Sequence, residues 1–393
     1  MSYFNRHLAE QLAEIDRHGQ RRQLVPVTHL DRGRIKIDGS QHLNLAGNDY
    51  LGLAANRDML ADFYRQQDSS NLLACYGLGS TASRLMTGNT RPYVGLERKL
   101  STLYGSEAAL VFNSGYHLNV GILPALTGKQ DLILADKLCH ASLIDGMRLS
   151  LAKVIRYPHL DYQAVERILA KDRDRFRQVF IVTESIFSMD GDVADLAQLV
   201  RIKDRLAAVL YVDEAHGVGI RGESGCGLAE EQGVQQAIEI LTGTFGKAYG
   251  GQGAFVVGSR PLIDTLINTA RSQIFSTGLP PVSVHWLSTV LDKIPHLRQE
   301  RAKVAELSQR LRSQLRQIGL QTMGDSNIVP VVIGDAARTV AAAERVCEAG
   351  YWVKAVRPPT VPVGTSRLRL SLNAAMDWEQ LAPLPAIIKT ALD

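Results

Sequence analysis

From about residue 90 onward, short and almost wholly apolar runs alternate with stretches of helical periodicity such as 94–104. The runs fall at 108–112, 131–135, 179–183, 208–212 and 253–257. Each is too short for a stable helix and lacks the polar alternation of a half-exposed strand, so each reads as a strand covered on both faces. Strands spaced by helices build a mostly parallel sheet with helices on either side. The chain is therefore expected to be an α/β protein around a mostly parallel central sheet.

The flanks read differently. Phe4, Leu8, Leu12 and Ile15 recur at helical spacing, and Gly19 stands where that helix would stop. Two strand-like pieces, 34–37 and 42–45, are joined by Asp38 and Gly39, a hairpin turn pair. Pro280 and Pro281 open a long helical region that runs to about residue 318. Beyond it, strands at 328–333, 351–355 and 367–372 with a helix at 339–349 predict a smaller α+β C-terminal domain. The expected division is an N-terminal arm with short strands over 1–55, a large α/β domain over 56–285, and a linking helix with the α+β domain over 286–393.

Composition narrows function mainly by exclusion. Lys+Arg 44 against Asp+Glu 40 gives a formal charge of +4, too mild to imply a nucleic-acid partner. A basic cluster at 171–177 alternates with Asp172 and Asp174, the pattern of a solvated helix face. No apolar run approaches the roughly 20 residues that span a bilayer. The N-terminal segment carries acids and is not expected to be an export signal. Cys75, Cys139, Cys226 and Cys347 form no CxxC pair and are expected to be free thiols in a reducing, cytoplasmic setting.

Some familiar motifs fail in context. Gly77-x-Gly79-x-x-Ala82, with Glu97 further on, fits a dinucleotide fingerprint and keeps a non-catalytic nucleotide-binding α/β protein as an alternative; the stretch before it makes a poor strand. Lys247 belongs to no P-loop, because Leu241 stands where the first glycine is needed and Ala248 replaces the Ser/Thr. The ten histidines show no zinc spacing.

Usable chemistry begins at Asp213 and His216, which follow the run 208–212. In open α/β sheets, ligands sit beyond the carboxyl ends of strands. Lys247 lies downstream among small residues, after Thr244. A lysine amine can form an imine with an aldehyde cofactor, and a carboxylate can keep a pyridine nitrogen protonated so that the ring accepts electrons. Ser114, Gly115 and Tyr116 open a helix whose first amides suit a phosphate, and Thr244 can add a hydroxyl. His140 can stack on a ring, and Ser188 with His216 can hydrogen-bond a phenolic oxygen. Each has an ordinary alternative: a helix cap or ion pair for Asp213, a turn for Ser188, a hydrogen-bonded structural residue for His140. Arg357 and Arg367 are candidates for a substrate carboxylate or for surface ion pairs. Helix-start glycine, histidine, serine, Asp-x-x-His and lysine nevertheless follow successive strands in order, which separate structural roles do not explain.

These residues make the chain resemble the α-oxoamine synthases, a branch of the aspartate-aminotransferase-like (fold type I) enzymes that use pyridoxal 5'-phosphate (PLP). The resemblance runs through NDYLGL (48–53), SGY (114–116), HASL (140–143), TESIFSMDGD (183–192), VDEAHG (212–217), TFGKA (244–248), STGLPP (276–281) and RPPTVPVGTSRLRLSL (357–372). It implies that Lys247 carries the cofactor, Asp213 faces its ring nitrogen and His140 stacks over the ring. It implies that Ser188 and His216 contact the phenolic oxygen, and that Gly115, Tyr116 and Thr244 serve the phosphate end. It implies a homodimer in which Ser276 and Thr277 reach the partner's phosphate, and substrate contacts from Arg22, Asn48, His140, Arg357 and Thr360. The last motif points to the branch that condenses L-alanine with a pimeloyl thioester, on coenzyme A or an acyl carrier protein, with loss of CO2, in biotin biosynthesis. Sister enzymes that join glycine or serine to other acyl thioesters are the alternative. Two departures, Thr81 and Ala82 for a glycine pair and Tyr93 for a histidine, fall near the expected substrate entrance.

Overall fold

The computed structural model describes residues 2–17 and 20–393; the expected stop at Gly19 lies outside the described residues. The first helix, Tyr3–Arg17, forms as its spacing predicts, and none of its residues is buried. After it, β1 (Thr28–His29), β2 (Arg34–Ile37) and β3 (Ser40–Asn44) pair antiparallel. Asp38 and Gly39 between β2 and β3 both take positive φ, 46° and 87°, the turn whose twist matches its strands. β2 alternates, turning Ile35 and Ile37 inward.

The central sheet contains β4 (Ala108–Phe112), β5 (Leu132–Asp136), β6 (Lys153–Tyr157), β7 (Val179–Glu184), β8 (Val209–Asp213), β9 (Ile240–Thr244) and β10 (Ala254–Gly258), in the order β4-β10-β9-β8-β7-β5-β6. All five apolar runs are strands of it. β10 runs antiparallel to both neighbours, and the remaining pairs are parallel. Every residue of β4, β5, β7 and β9 is buried. One face packs Leu132 and Leu134 with Leu210 and Val212, the other Ile133 and Ala135 with Phe180 and Val182. Each buried Leu or Ile is worth about 1.5–3 kcal/mol, so the strand ends are held by a stiff platform.

Two helices matter for the site. Gly115–Leu126 follows β4, with the Ser114 hydroxyl accepting from His117 N at 3.2 Å. Ala141–Leu149 starts from His140 after β5. The basic cluster expected to be a solvated face is partly an anchor: Arg177 grips the buried carboxylate of Asp131 at 3.0 and 2.6 Å.

Helices Pro281–Lys293 and Arg298–Gln317 lead to the last layer, separated at Ile294–His296, where Pro295 breaks the ladder. That layer holds β11 (Ile328–Gly334), β12 (Tyr351–Trp352), β13 (Ala355–Val356) and β14 (Ser366–Ser371). β11, β14 and β13 form one sheet, while β12 pairs parallel with β3. The expected strand at 351–355 is thus two short strands in different sheets. Leu43 and Leu45 pack with Val329, Leu368 and Leu370, so the N-terminal hairpin shares a core with C-terminal strands.

Candidate active site

β4, β5, β7, β8 and β9 run in one direction, and each is followed at its carboxyl end by one of the expected residues: Gly115, His140, Ser188, Asp213 with His216, and Lys247. Lys247 Nζ lies 2.9 Å from His216 Nε2. On the other side of the imidazole, Nδ1 is 2.6 Å from the Tyr50 hydroxyl, which is 3.1 Å from Asn48 Oδ1. Arg369 Nη2 donates to Asn48 Oδ1 at 3.2 Å and to the Tyr50 oxygen at 3.4 Å. One proton assignment satisfies the line: Lys247 donates to Nε2, Nδ1–H donates to Tyr50, and Tyr50 donates to Asn48. It needs a neutral His216, and burial, with the Lys247 charge next, holds its pKa well below the usual histidine value. Burial also pushes Lys247 down to about 8, with Arg369 adding to it and Asp213 and Glu184 opposing it.

Asp213 is fixed at both oxygens. Oδ2 accepts from Asn119 Nδ2 at 2.8 Å and Oδ1 from Ala215 N at 2.9 Å. Asn119 is itself oriented by the Tyr211 hydroxyl, which donates to its Oδ1 at 2.5 Å. Asn119 also donates to Ser142 Oγ at 2.9 Å, leaving the Ser142 hydroxyl to donate to His140 Nδ1 at 2.8 Å. The Ser142 amide points to the same nitrogen at 3.2 Å. His140 Nδ1 is thus an acceptor, and the neutral ring carries its proton on Nε2. Its pKa is lowered, first by desolvation and then by Lys247, with Asp213 opposing. Behind it, the His140 amide donates to Glu184 at 2.5 Å. Glu184 is buried and pushed up to about 8, by burial and then by the Asp213 charge.

At the far end, the amides of Gly115 and Tyr116 belong to the first turn of a helix, where no intrahelical acceptor exists. Thr244 adjoins them: a Cβ added to Gly115 would lie 3.8 Å from its Oγ1. The Thr244 hydroxyl donates to Gly253 O at 3.0 Å and accepts from Gly246 N at 3.2 Å. The Tyr116 hydroxyl donates to Asp145 at 2.7 Å. Ser276 is half-buried and Thr277 exposed; the Thr277 carbonyl accepts from Asn113 at 2.6 Å, next to the helix start. PLP has an aldehyde, a basic ring nitrogen and a phosphate. The chain offers an amine of lowered pKa, an oriented buried carboxylate and a helix N-terminus, so the donor set fits the group.

The expected substrate residues split. Arg22 Nη2 reaches Thr360 Oγ1 at 3.5 Å, and Arg357 donates to Arg21 O at 3.2 Å, so these three meet at an exposed rim. Asn48 sits apart, in the line to Lys247. A cavity of about 540 Å³ connects the rim to the strand ends, with Thr360, Val361, Leu138 and Ser188 in its wall. Arg367, read above as a candidate for a substrate carboxylate or a surface ion pair, forms an ion pair with Asp190, but a buried one. Arg369 takes the position facing the site, and its Nε also holds the Ser188 carbonyl at 2.5 Å. The period-two pattern RLRL was the available signal, since it puts Arg367 and Arg369 on one face of β14. Tyr50, Asn119 and Glu184 were also missed. Of the departures, Tyr93 is fully buried, accepts from Leu279 N at 2.6 Å and lies under Arg84 at 4.1 Å. Thr81 takes a φ of 55°.

An amine, an oriented carboxylate and a neutral histidine at the strand ends of this sheet define a fold type I PLP enzyme. The aminotransferase class I and II family matches residues 40–388. The 8-amino-7-oxononanoate synthase of Chlorobaculum parvum is 46% identical over 385 residues, 98% of each chain. Among solved structures, the serine palmitoyltransferase of Sphingomonas wittichii superposes with a TM-score of 0.90 at 32% identity, covering 99% of this chain and 97% of that one. A serine palmitoyltransferase structure with PLP gives 0.88 at 27%, over 99% and 97%. The chain belongs to the aminotransferase class I and II family and, within it, to the α-oxoamine synthases: it is a PLP-dependent acyltransferase of biotin biosynthesis. Among the described residues, no helix is long and apolar enough to cross a membrane.

Proposed function

We propose that this enzyme condenses L-alanine with a pimeloyl thioester, forming 8-amino-7-oxononanoate and releasing CO2 and the thiol carrier. The observation that carries the reading is the hydrogen-bonded line from Lys247 through His216, Tyr50 and Asn48 to Arg369. It couples a proton-accepting amine to a cation suited to an amino-acid carboxylate.

When bound, PLP supplies an aldehyde and an electron-accepting ring for the negative charge that develops at the amino acid's Cα. Lys247 holds the group and, as a free amine, takes the Cα proton. A pKa of about 8 leaves a useful fraction unprotonated near neutral pH. Asp213 keeps a proton on the ring nitrogen, oriented by Asn119 and the Ala215 amide. His140 would lie against that ring, with its Nε2–H available to the thioester carbonyl. Ser188 and His216 serve the phenolic oxygen; Gly115, Tyr116 and Thr244 serve the phosphate. Arg22, Asn48, Arg357 and Thr360, with Arg369, bind substrate.

A homodimer is part of the reading, with Ser276 and Thr277 completing the partner's phosphate site. Leu73 and Leu78 at 87% exposure, Met86 at 77% and Phe275 at 70% support it, because bare apolar side chains of that size favour a covering surface. Four free cysteines support a reducing, cytoplasmic setting.

The test is the mass of the product made from L-alanine with pimeloyl-coenzyme A and, separately, with pimeloyl-acyl carrier protein. The expected product is 8-amino-7-oxononanoate with CO2 release from at least one donor. Turnover of glycine or serine with other acyl thioesters, and none with alanine, would overturn the assignment in favour of a sister enzyme.

A further inference from the structure

We propose that His159, held as an imidazolium between Asp136 and Asp192, is a positioning residue that fixes the turn carrying Ser188 against the strand end carrying His140. This rests on the reading of Ser188 and His140 as site residues. His159 Nδ1 lies 2.9 Å from Asp136 Oδ1, and Nε2 lies 3.2 Å from Asp192 Oδ2. An ionised carboxylate only accepts, and a neutral imidazole has only one N–H, so both contacts are hydrogen bonds only when the ring is doubly protonated. Burial alone would lower the pKa of His159; the bonds to the two carboxylates outweigh that and push it up to about 9.

The two acids belong to two different walls of the site. Asp136 ends β5 and is fully buried; it accepts from Leu138 N at 2.8 Å and Leu160 N at 2.9 Å, and so shapes the approach to His140. Asp192 closes the turn that follows β7. Within that turn Phe187 N donates to Asp192 O at 3.0 Å and Gly191 N donates to Phe187 O at 2.9 Å. The Phe187 ring meets the His159 ring edge-on, with centroids 4.4 Å apart. Gly191 takes a φ of 71°, and a Cβ there would stand 2.5 Å from Ile328 O, so the turn sits hard against β11. One side of the turn is therefore held by the C-terminal layer, through β11, the Asp190–Arg367 pair and Arg369 on Ser188 O. The other side is held by His159. The remaining charged groups lining the cavity that His159 faces are Lys137 and Arg156, joined by a bond from Arg156 to the Lys137 carbonyl, and the paired Asp190 and Arg367. Among the described residues, Asp136 and Asp192 are the acceptors that contact the ring.

The sign of the pH effect follows. Because the folded protein favours the charged ring, the clamp's contribution to stability is complete below the ordinary histidine value of 6.5 and is lost as pH rises through about 9. The experiment is amide hydrogen exchange over 187–192 in the PLP-loaded enzyme, normalised to intrinsic rates at each pH, for wild type and His159→Gln. We expect wild-type protection to fall as pH rises through about 9. We expect His159→Gln to exchange about tenfold faster at neutral pH, the order of one lost charged hydrogen bond, with no such pH step. KM for the thioester should rise more than the rate of alanine Cα–H exchange falls. Equal protection in the two proteins, or a pH step that survives in His159→Gln, would overturn the clamp. Should His159→Gln fail to fold, Asp192→Ala removes the acceptor from the turn side and is expected to speed exchange over the same segment at neutral pH. Because exchange is read without substrate, a wild type that makes no product from alanine and a pimeloyl thioester would sink the proposed reaction and leave this result separately readable.

Discussion

The two ends of the proposed site are built by different means. At the cofactor end, Asp213, His216 and Lys247 leave strands whose side chains are nearly all buried, and the polar side-chain atoms of these three already have oriented partners. At the substrate rim, Arg22 and Thr360 lie on exposed, irregular segments and touch one another at 3.5 Å. A sheet end fixes a group to within a rotamer, whereas a loop fixes it only as well as its few contacts allow. Chemistry common to a class of enzymes therefore belongs on the platform, and the choice of substrate belongs on the rim.

The contrast predicts a graded response to mutation. Lys247→Ala should remove both the visible absorbance of the PLP-loaded protein and turnover, a loss of about 10⁴-fold, the upper end of what a positioned base contributes. Retained colour and activity would break the cofactor end of the comparison outright. Asp213→Asn keeps the shape and removes the charge. It should slow exchange of the alanine Cα proton for deuterium, followed by NMR, by about 10²–10³-fold, the order of a lost transition-state electrostatic contact. In the wild type the same exchange should fall as pH drops through about 8, because only the unprotonated Lys247 amine accepts a proton. A rate that is flat across that range would remove Lys247 as the base.

Arg369 tests the boundary between the two ends. It sits on a strand like the platform residues, yet it faces Asn48 and Ser188. Arg369→Ala should raise KM for alanine about 10–100-fold, the range for charged hydrogen bonds, with a smaller fall in kcat. An unchanged KM would make it a purely structural tie for the Ser188 turn.

The same division governs what was legible in the sequence. The five strands with unbroken apolar runs were readable because burial on both faces forces a composition. β6 was not, because Lys153, Val154 and Arg156 are exposed on an edge strand, and β9 was not, because it ends in Thr242, Gly243 and Thr244. The antiparallel sense of β10 leaves no mark in composition at all. Asp213, His216 and Lys247 were legible because their chemistry coincides with strand ends. Asn119 and Tyr50 were not, since their roles arise from contacts to Asp213 and His216 that are 94 and 166 residues away in the chain. For Arg367 the ion-pair reading is the one that holds, buried rather than on the surface; sequence alone cannot tell which of two arginines on one strand face meets Asp190. The Tyr93 departure also changes meaning in three dimensions: its hydroxyl closes on Leu279 N inside the core.

The smallest effect is expected at the rim itself. Thr360 is exposed, and the contact of its hydroxyl with Arg22 is at the limit of a hydrogen bond. Thr360→Ala should leave alanine Cα exchange unchanged and raise KM for the thioester by no more than about twofold, as for an exposed substitution worth roughly 0.5 kcal/mol. Steady-state kinetics with pimeloyl-coenzyme A read this directly. A tenfold rise would mean that the rim is as tightly organised as the platform once substrate is present, and that the loops close rather than merely line the entrance. The contrast between the two ends would then describe only the substrate-free enzyme.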